Sequence, residues 1–338
     1  MSGKLNVGII GLGEMGQRML HRLEEHNMLR VTWAWDTNPT ATEASAKKFP
    51  HVNMADSAMH LMQQVDLQSV YIATPTDSHL QLTSQAVDRG LSVLCEHPLC
   101  DDGFAAYHVV ERIAALEARA GVNMPLTTAP GIALAKSFFG EVHPLGKLQS
   151  VDVDIKWKQW LQQPWFRRLA ARNDGSFVRQ VLSEFVFPLQ RVVGPLKLLG
   201  SKCTTSEGEP ELGMDLTAQL KIGPVPVKMV ASAEGNEEKQ NFIHFEGAKG
   251  SFMLGVETRD FDVQLHNGKD FPMKTDGDAL DPGWQWSDTT QDVTWQWTAL
   301  IQGKPHKLAS CPEALQVQKT IDAIVAADCQ ERSDCSTM

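Results

Sequence analysis

Short apolar runs separated by helix-like stretches fill the first part of the chain, and their order predicts its architecture. Leu5 to Ile10 suits a strand buried on both faces, and Gln17 to His26 has helix-forming composition. A second strand runs from Leu29 to Trp35, and Thr37 to Gln64 reads as two helices around a connecting strand near His51 to Met54. Gln68 to Ala73 is the next strand, stopped by Thr74-Pro75. Residues 79 to 89 form a helix closed by Gly90, and Ser92 to Cys95 form a strand that stops at Glu96-His97-Pro98. Asp101 to Ala120 reads as a helix, with a short strand from Gly121 to before Pro125. Strands and helices alternating in this way predict a doubly wound parallel sheet, a Rossmann-type α/β domain.

From about Leu148 the pattern changes. Leu148 to Trp157 alternates apolar and polar residues, as a strand with one buried face does. After a loop, Phe177 to Val193 reads as a helix. Strand-like runs follow at Asp215 to Ile222, Val225 to Ala233, Asn241 to Glu246, Gly250 to Leu254 and Phe261 to Leu265. Their turn-rich connections predict an α+β domain with an open, mainly antiparallel sheet. Helices at Asp292 to Ile301 and Pro312 to Ala327 either return to the first domain or cover that sheet. A length of 338 residues fits two cores, divided here as 1–124 and 125–338.

The turn after the first strand carries the clearest chemistry. Gly11-Leu12-Gly13-Glu14-Met15-Gly16 has the G-x-G-x-x-G spacing of a dinucleotide-binding turn. Gly11 permits the tight bend, Gly13 lets backbone approach a pyrophosphate, and Gly16 lets the helix pack on the strand. Asp36 ends the second strand 20 residues beyond Gly16, where a carboxylate accepts hydrogen bonds from an adenosine ribose. Its charge would repel a 2′-phosphate and favours NAD, while Asn38, Lys47 and Lys48 keep NADP open. Ligands of open α/β sheets sit at the carboxyl ends of strands, which gathers Gly11 to Gly16, Asp36, Thr74 to His79 and Glu96 to Pro98 around one crevice.

A formal charge of −10 without a lysine and arginine run argues against a nucleic-acid partner. No signal-peptide layout precedes the first strand and no apolar segment reaches spanning length, which predicts a cytoplasmic protein without a membrane partner. The six cysteines are scattered without zinc-like pairs, so neither a disulfide framework nor a metal is expected. Trp157, Trp160, Trp165, Trp284, Trp286, Trp295 and Trp297 fall in the second region, where they serve either carbohydrate stacking or core and subunit packing.

With these motifs in place the chain resembles the Gfo/Idh/MocA family of nicotinamide-dependent oxidoreductases. Beside the glycine turn, Ala73-Thr74-Pro75-Thr76-Asp77-Ser78-His79 is similar to the family's T-P-N-x-x-H loop, and Cys95-Glu96-His97-Pro98-Leu99 stands where the family has E-K-P-L. Glu246 to Ser251 is similar to its G-x-x-G-s turn. The resemblance implies that Thr74, Pro75 and His79 border the cofactor. It also implies that Glu96 reaches the nicotinamide ribose and that Pro98 is a cis proline. It further implies a homodimer or homotetramer through the C-terminal sheet, whose outer face would be apolar if another subunit covers it.

Two departures concern catalysis. The family's substrate-facing lysine is His97 here. Its second element, G-G-x-x-x-D-x-G-x-H, maps near Asp174 to Phe185. Counted strictly from Asp174-Gly175, its aspartate and histidine fall on Arg179 and Ser183; a one-residue slip moves them to Gln180 and Glu184. One reading makes His97 and Glu184 the proton-transfer pair, with Arg179 and Gln180 on the substrate. The implied reaction is hydride transfer between NAD(P) and a secondary alcohol or ketone carbon of a sugar, cyclic polyol or related small molecule, with imine reduction as a close variant. The other reading is a dinucleotide-binding sensor or scaffold without turnover.

Overall fold

The computed structural model describes residues 3–100, 103–124, 126–156, 158–162, 164–172, 175–205, 214–232, 241–259, 262–266, 273–275, 279–280 and 290–335. The chain divides into two compact units, residues 1–128 with 290–315, and residues 129–289 with 316–338.

The first unit contains β1 (Leu5–Ile10), α1 (Glu14–Glu24), β2 (Leu29–Trp35), α2 (Pro39–Lys48), β3 (Asn53–Met54), α3 (Ala58–Met62) and β4 (Ser69–Ile72). A single 3-10 turn, Thr76–Ser78, leads into α4 (His79–Val87), β5 (Ser92–Glu96), α5 (Gly103–Ala115) and β6 (Ala120–Asn123). α1 is held by its buried stripe Gly16, Met19, Leu20 and Leu23, the i, i+3, i+4, i+7 pattern of an amphipathic helix. Pro39 starts α2 behind Asn38, whose side chain accepts from the Thr40 N–H. α5 stops earlier than the sequence suggests, at Ala115, because Glu117 turns into the left-handed region at φ 49°.

The second unit begins with α6 (Pro130–Ser137), β7 (Leu148–Lys156), α7 (Lys158–Leu161), α8 (Pro164–Arg172) and α9 (Ser176–Val193). Its strands continue as β8 (Lys197–Thr205), β9 (Met214–Ile222), β10 (Val225–Ser232), β11 (Phe242–Gly247), β12 (Gly250–Arg259), β13 (Asp262–His266), β14 (Met273–Thr275) and β15 (Ala279–Leu280). The stretch read as a loop before α9 is therefore largely helical. Phe166, Leu169 and Ala170 of α8 are buried at helical spacing.

The chain then returns to the first unit with α10 (Thr290–Ile301) and β16 (Ala309–Ser310) before α11 (Cys311–Cys335). Val293, Trp297, Leu300 and Ile301 of α10 share a core with Val7, Ile9, Leu29, Val31 and Tyr71, and the Trp297 Nε1 donates to Ser69 Oγ at 2.8 Å. The resulting seven-stranded sheet has the order β16-β6-β5-β4-β1-β2-β3, parallel except for β16 against β6.

The sheet of the second unit has nine strands in the order β15-β14-β12-β11-β7-β10-β9-β8, with β13 also on β12; β7 and β10 run parallel and the other pairs antiparallel. One face is buried through Val151, Val153, Ile155, Val227, Met229 and Phe245, and Phe138 beyond α6 meets Phe252 with ring centroids 5.0 Å apart. Among the described residues the other face is largely polar. Asp152, Thr217, Gln219 and Lys228 are exposed there and Lys156 pairs with Asp154 at 3.3 Å. It is thus not the apolar surface expected of a subunit contact, because strict alternation places polar side chains on it.

Candidate active site

The glycine turn is dictated by space. Gly11 has φ +97°, and a Cβ there would lie 2.5 Å from the Ala73 carbonyl oxygen. A Cβ on Gly16 would lie 1.9 Å from the Gly11 oxygen. Gly13, by contrast, is exposed, with nothing within 4 Å of its would-be Cβ, and it begins α1 without a side-chain cap. Gly13 thus leaves open space beside the start of α1, and a helix N-terminus with room for backbone approach suits a pyrophosphate. Glu14 and Met15 lie in the first turn, both partly buried. Asp36 stands at the same turn, with Oδ2 accepting from Leu12 N–H at 2.6 Å and Oδ1 from Asn38 N–H at 2.7 Å. These features fit a dinucleotide.

The loops after β4 and β5 are joined through His79, which is buried at the start of α4. Its Nδ1 lies 2.8 Å from the Pro98 oxygen and its Nε2 2.8 Å from the Thr74 oxygen. Carbonyls only accept, so both contacts are satisfied by the imidazolium and one by the neutral ring. Burial, the largest influence, lowers the His79 pKa against the upward pull of the two carbonyls and Glu96. Ser78 Oγ donates to Pro75 O at 2.8 Å and lies 2.7 Å from Thr74 Oγ1, closing the Thr-Pro loop. The His97–Pro98 peptide is cis, as expected.

Glu96 is buried, and its Oε1 accepts from the Tyr71 hydroxyl and from Asn123 Nδ2, the latter at 2.7 Å. Strand register brings the three together. Glu96 pairs with Asn123 across β5 and β6, while Tyr71 pairs with Leu94, which shares the Glu96 face two residues earlier. His97 Nδ1 donates to the Asn123 carbonyl at 2.8 Å and stands 3.6 Å from Glu96 Oε2. Burial pushes the Glu96 carboxyl up, but interactions with His97, Tyr71 and Asn123 outweigh it and hold the pKa below the usual value. The Tyr71 phenol moves the other way, raised well above its usual value by burial and by the Glu96 charge.

The remaining predicted site residues lie on α9 in the second unit. Glu184 is 2% exposed, and Trp160 Nε1 donates to its Oε2 at 2.5 Å. Burial raises the carboxyl to about 8, with the Trp160 bond pulling the other way. Pro188, four residues on, offers no N–H to the Glu184 carbonyl. Ser183 Oγ donates to the Gln180 carbonyl at 2.7 Å, and Gln180 is buried. Arg179 Nε meets Asp322 Oδ1 at 3.2 Å, and Gln318 Nε2 donates to the same oxygen at 2.9 Å. This pairing gives Arg179 a place in packing α9 against α11.

Among the described residues no three His, Cys, Asp or Glu side chains gather as metal ligands, and no helix is long and apolar enough to cross a membrane. Cys95, Cys100 and Cys311 are buried free thiols; burial pushes Cys95 well above its usual range and Cys311 to about 12, which suppresses the thiolate. Trp160 and Trp297 are core residues and Trp295 is half exposed. Trp157, Asp174, Trp284 and Trp286 lie outside the described residues, as does the Trp165 side chain. The sequence reading missed Tyr71 and Asn123. The signal for Tyr71 was present, since a phenol inside an apolar strand needs a polar partner.

A parallel sheet with this glycine turn defines a dinucleotide-binding α/β protein. Residues 5–124 match the sequence model of the Gfo/Idh/MocA oxidoreductase family, which has an NAD-binding Rossmann fold. The chain is 24% identical over 294 residues to levoglucosan dehydrogenase of Pseudarthrobacter phenanthrenivorans, covering 76% of this chain and 75% of that one. To inositol 2-dehydrogenase 4 of Saccharopolyspora erythraea it is 30% identical over 112 residues, 32% of each chain. The fold is similar to that of the WlbA dehydrogenase from Bordetella pertussis, solved with NADH and UDP-GlcNAcA, at a TM-score of 0.79, 17% identity and 97% coverage of both chains.

Proposed function

We propose that the protein is an NAD(P)-dependent dehydrogenase or reductase acting on a secondary alcohol or ketone carbon of a sugar, cyclic polyol or related small molecule. Gly11, Gly13, Glu14, Met15, Gly16 and Asp36 hold the adenosine diphosphate half of the cofactor, and Thr74, Pro75, His79 and Pro98 border its other half. When bound, the nicotinamide supplies the carbon that accepts or returns hydride. The observation that carries the reading is the His97 ring. Its Nδ1–H is committed to the Asn123 carbonyl, so the lone pair of the neutral ring is on Nε2. His97 takes the hydroxyl proton at Nε2 in the direction of oxidation and returns it to the alkoxide oxygen in reduction. Reduction of an imine would use the same proton at nitrogen. The substrates named for the levoglucosan and inositol dehydrogenases support a cyclic polyhydroxylated substrate.

The test is NADH fluorescence titration followed by a turnover screen on sugars, anhydrosugars, inositols and keto acids at the reduced-nicotinamide absorbance band. Binding with turnover is expected, and His97→Ala should abolish turnover while leaving NADH affinity nearly intact. Full turnover in His97→Ala would remove His97 from the chemistry. Tight binding without turnover across the panel would favour a sensor.

A further inference from the structure

We infer that the carboxylate serving His97 is its neighbour Glu96, and that Tyr71 and Asn123 are the positioning residues that keep Glu96 in that task. This rests on the proposed role of His97 and revises the pairing with Glu184. A proton taken at Nε2 leaves an imidazolium, which needs a fixed negative charge to be stabilised where water is scarce. Glu96 Oε2 lies 3.6 Å from His97 Nδ1, within the range where opposite charges favour one another. Its other oxygen is claimed by two donors, the Tyr71 hydroxyl and Asn123 Nδ2, the second at 2.7 Å. They draw Oε1 inward, which fixes the rotation of the carboxylate and keeps Oε2 toward the ring.

Asn123 acts twice, because its backbone carbonyl accepts the Nδ1 proton at 2.8 Å while its side chain holds Glu96. One residue thereby sets both the ring tautomer and the carboxylate that faces it. Among the described residues the other titratable groups bearing on this cluster are His79 from α4, whose own pKa Glu96 raises and His97 lowers, Cys95 beside Glu96 on β5, Arg22 from α1, and Tyr71 from β4, which remains a neutral donor. Glu184 has a different partner, since its Oε2 accepts from Trp160.

The task competes with the one implied by family resemblance, in which Glu96 receives the nicotinamide ribose. The two are separated by ring ¹⁵N spectra of histidine-labelled full-length protein, with the His97 signal assigned by its loss in His97→Gln. At a pH where both forms are visible, Glu96→Gln should lower the ratio of charged to neutral His97 about tenfold, the effect of removing a close opposite charge. Tyr71→Phe, which deletes one hydroxyl and keeps the ring, should lower it by a smaller factor. NADH affinity should stay within about twofold of wild type in both. Glu184→Gln should leave the ratio unchanged.

An unchanged ratio in both Glu96→Gln and Tyr71→Phe overturns the inference, whatever happens to NADH affinity. So does a fall in Glu184→Gln as large as that in Glu96→Gln. None of these readouts requires turnover. An inactive protein with the expected His97 signals would overturn the dehydrogenase reading and leave the Glu96 assignment standing.

Discussion

Replacing Glu184 by glutamine should stabilise the protein, and by an amount that grows with pH. In the unfolded chain the carboxyl ionises near its ordinary value of 4.5, whereas burial in the native state raises it to about 8. Below about pH 4.5 both states hold the proton and burial of this group costs nothing through ionisation. Between those values the unfolded state releases the proton and the native state does not, so stability falls by about 1.4 kcal/mol per pH unit. The accumulated loss is about 3 kcal/mol at pH 7 and levels near 5 kcal/mol once the native group also ionises. Glutamine keeps the shape and can still accept from Trp160 Nε1, but it does not titrate. The swap itself adds a constant offset on the order of 1 kcal/mol, so the slope is the signal. Calorimetry of both proteins at pH 5, 7 and 8 should show the midpoint of the second unit diverging, with Glu184→Gln ahead by about 6–12 °C at pH 7. A difference that does not change with pH would mean that Glu184 is ionised in the native state, which refutes the buried-acid assignment.

Gly16→Ala should abolish measurable NADH binding and lower the melting temperature, since its Cβ would lie 1.9 Å from a backbone oxygen; retained affinity in a fluorescence titration would contradict the turn geometry. Asp36→Ala should weaken NAD more than NADP, and because Leu12 N–H loses its acceptor it should weaken both to some degree; equal losses would take Asp36 away from the ribose. Acid should destabilise the first unit through His79. Its lowered native pKa means that the unfolded ring takes its proton first, near pH 6.5, and stability then falls with pH by at most about 1.4 kcal/mol per unit. His79→Gln should show a shallower acid slope in chemical denaturation, and an unaltered slope would remove His79 from that linkage.

The elements legible in the sequence are those whose environment leaves a simple pattern. β1, β4 and β5 are covered on both faces and read as apolar runs, while β7 and β10 alternate because one face is polar. The elements missed have locally mixed patterns. β8 carries Gly200 and a register shift between Leu198 and Gly200, so its alternation is broken where it would be counted. α7 and α8 are short and separated by residues that resemble a loop. β16 is two residues long and exists only because α10 returns the chain beside β6.

The site divides along the same line. Gly11 and Gly16 are legible from spacing because a tight turn and a close backbone approach impose residue type locally, and Asp36 follows the strand beside that turn. Glu96, Tyr71 and Asn123 come from three strands, and their meeting depends on register that no local pattern encodes. The sequence therefore shows a histidine where the motif it resembles has lysine, without the partners that orient that histidine in the structure. A lysine ammonium brings its own charge and three equivalent donors; histidine has two distinct nitrogens, and its use depends on which one the protein occupies. Here the Asn123 carbonyl occupies Nδ1. If His97 carries the proton as proposed, part of the proton-transfer problem lies in the strand ends around it, and variants of β4 and β6 should alter the behaviour of a residue that neither strand contains.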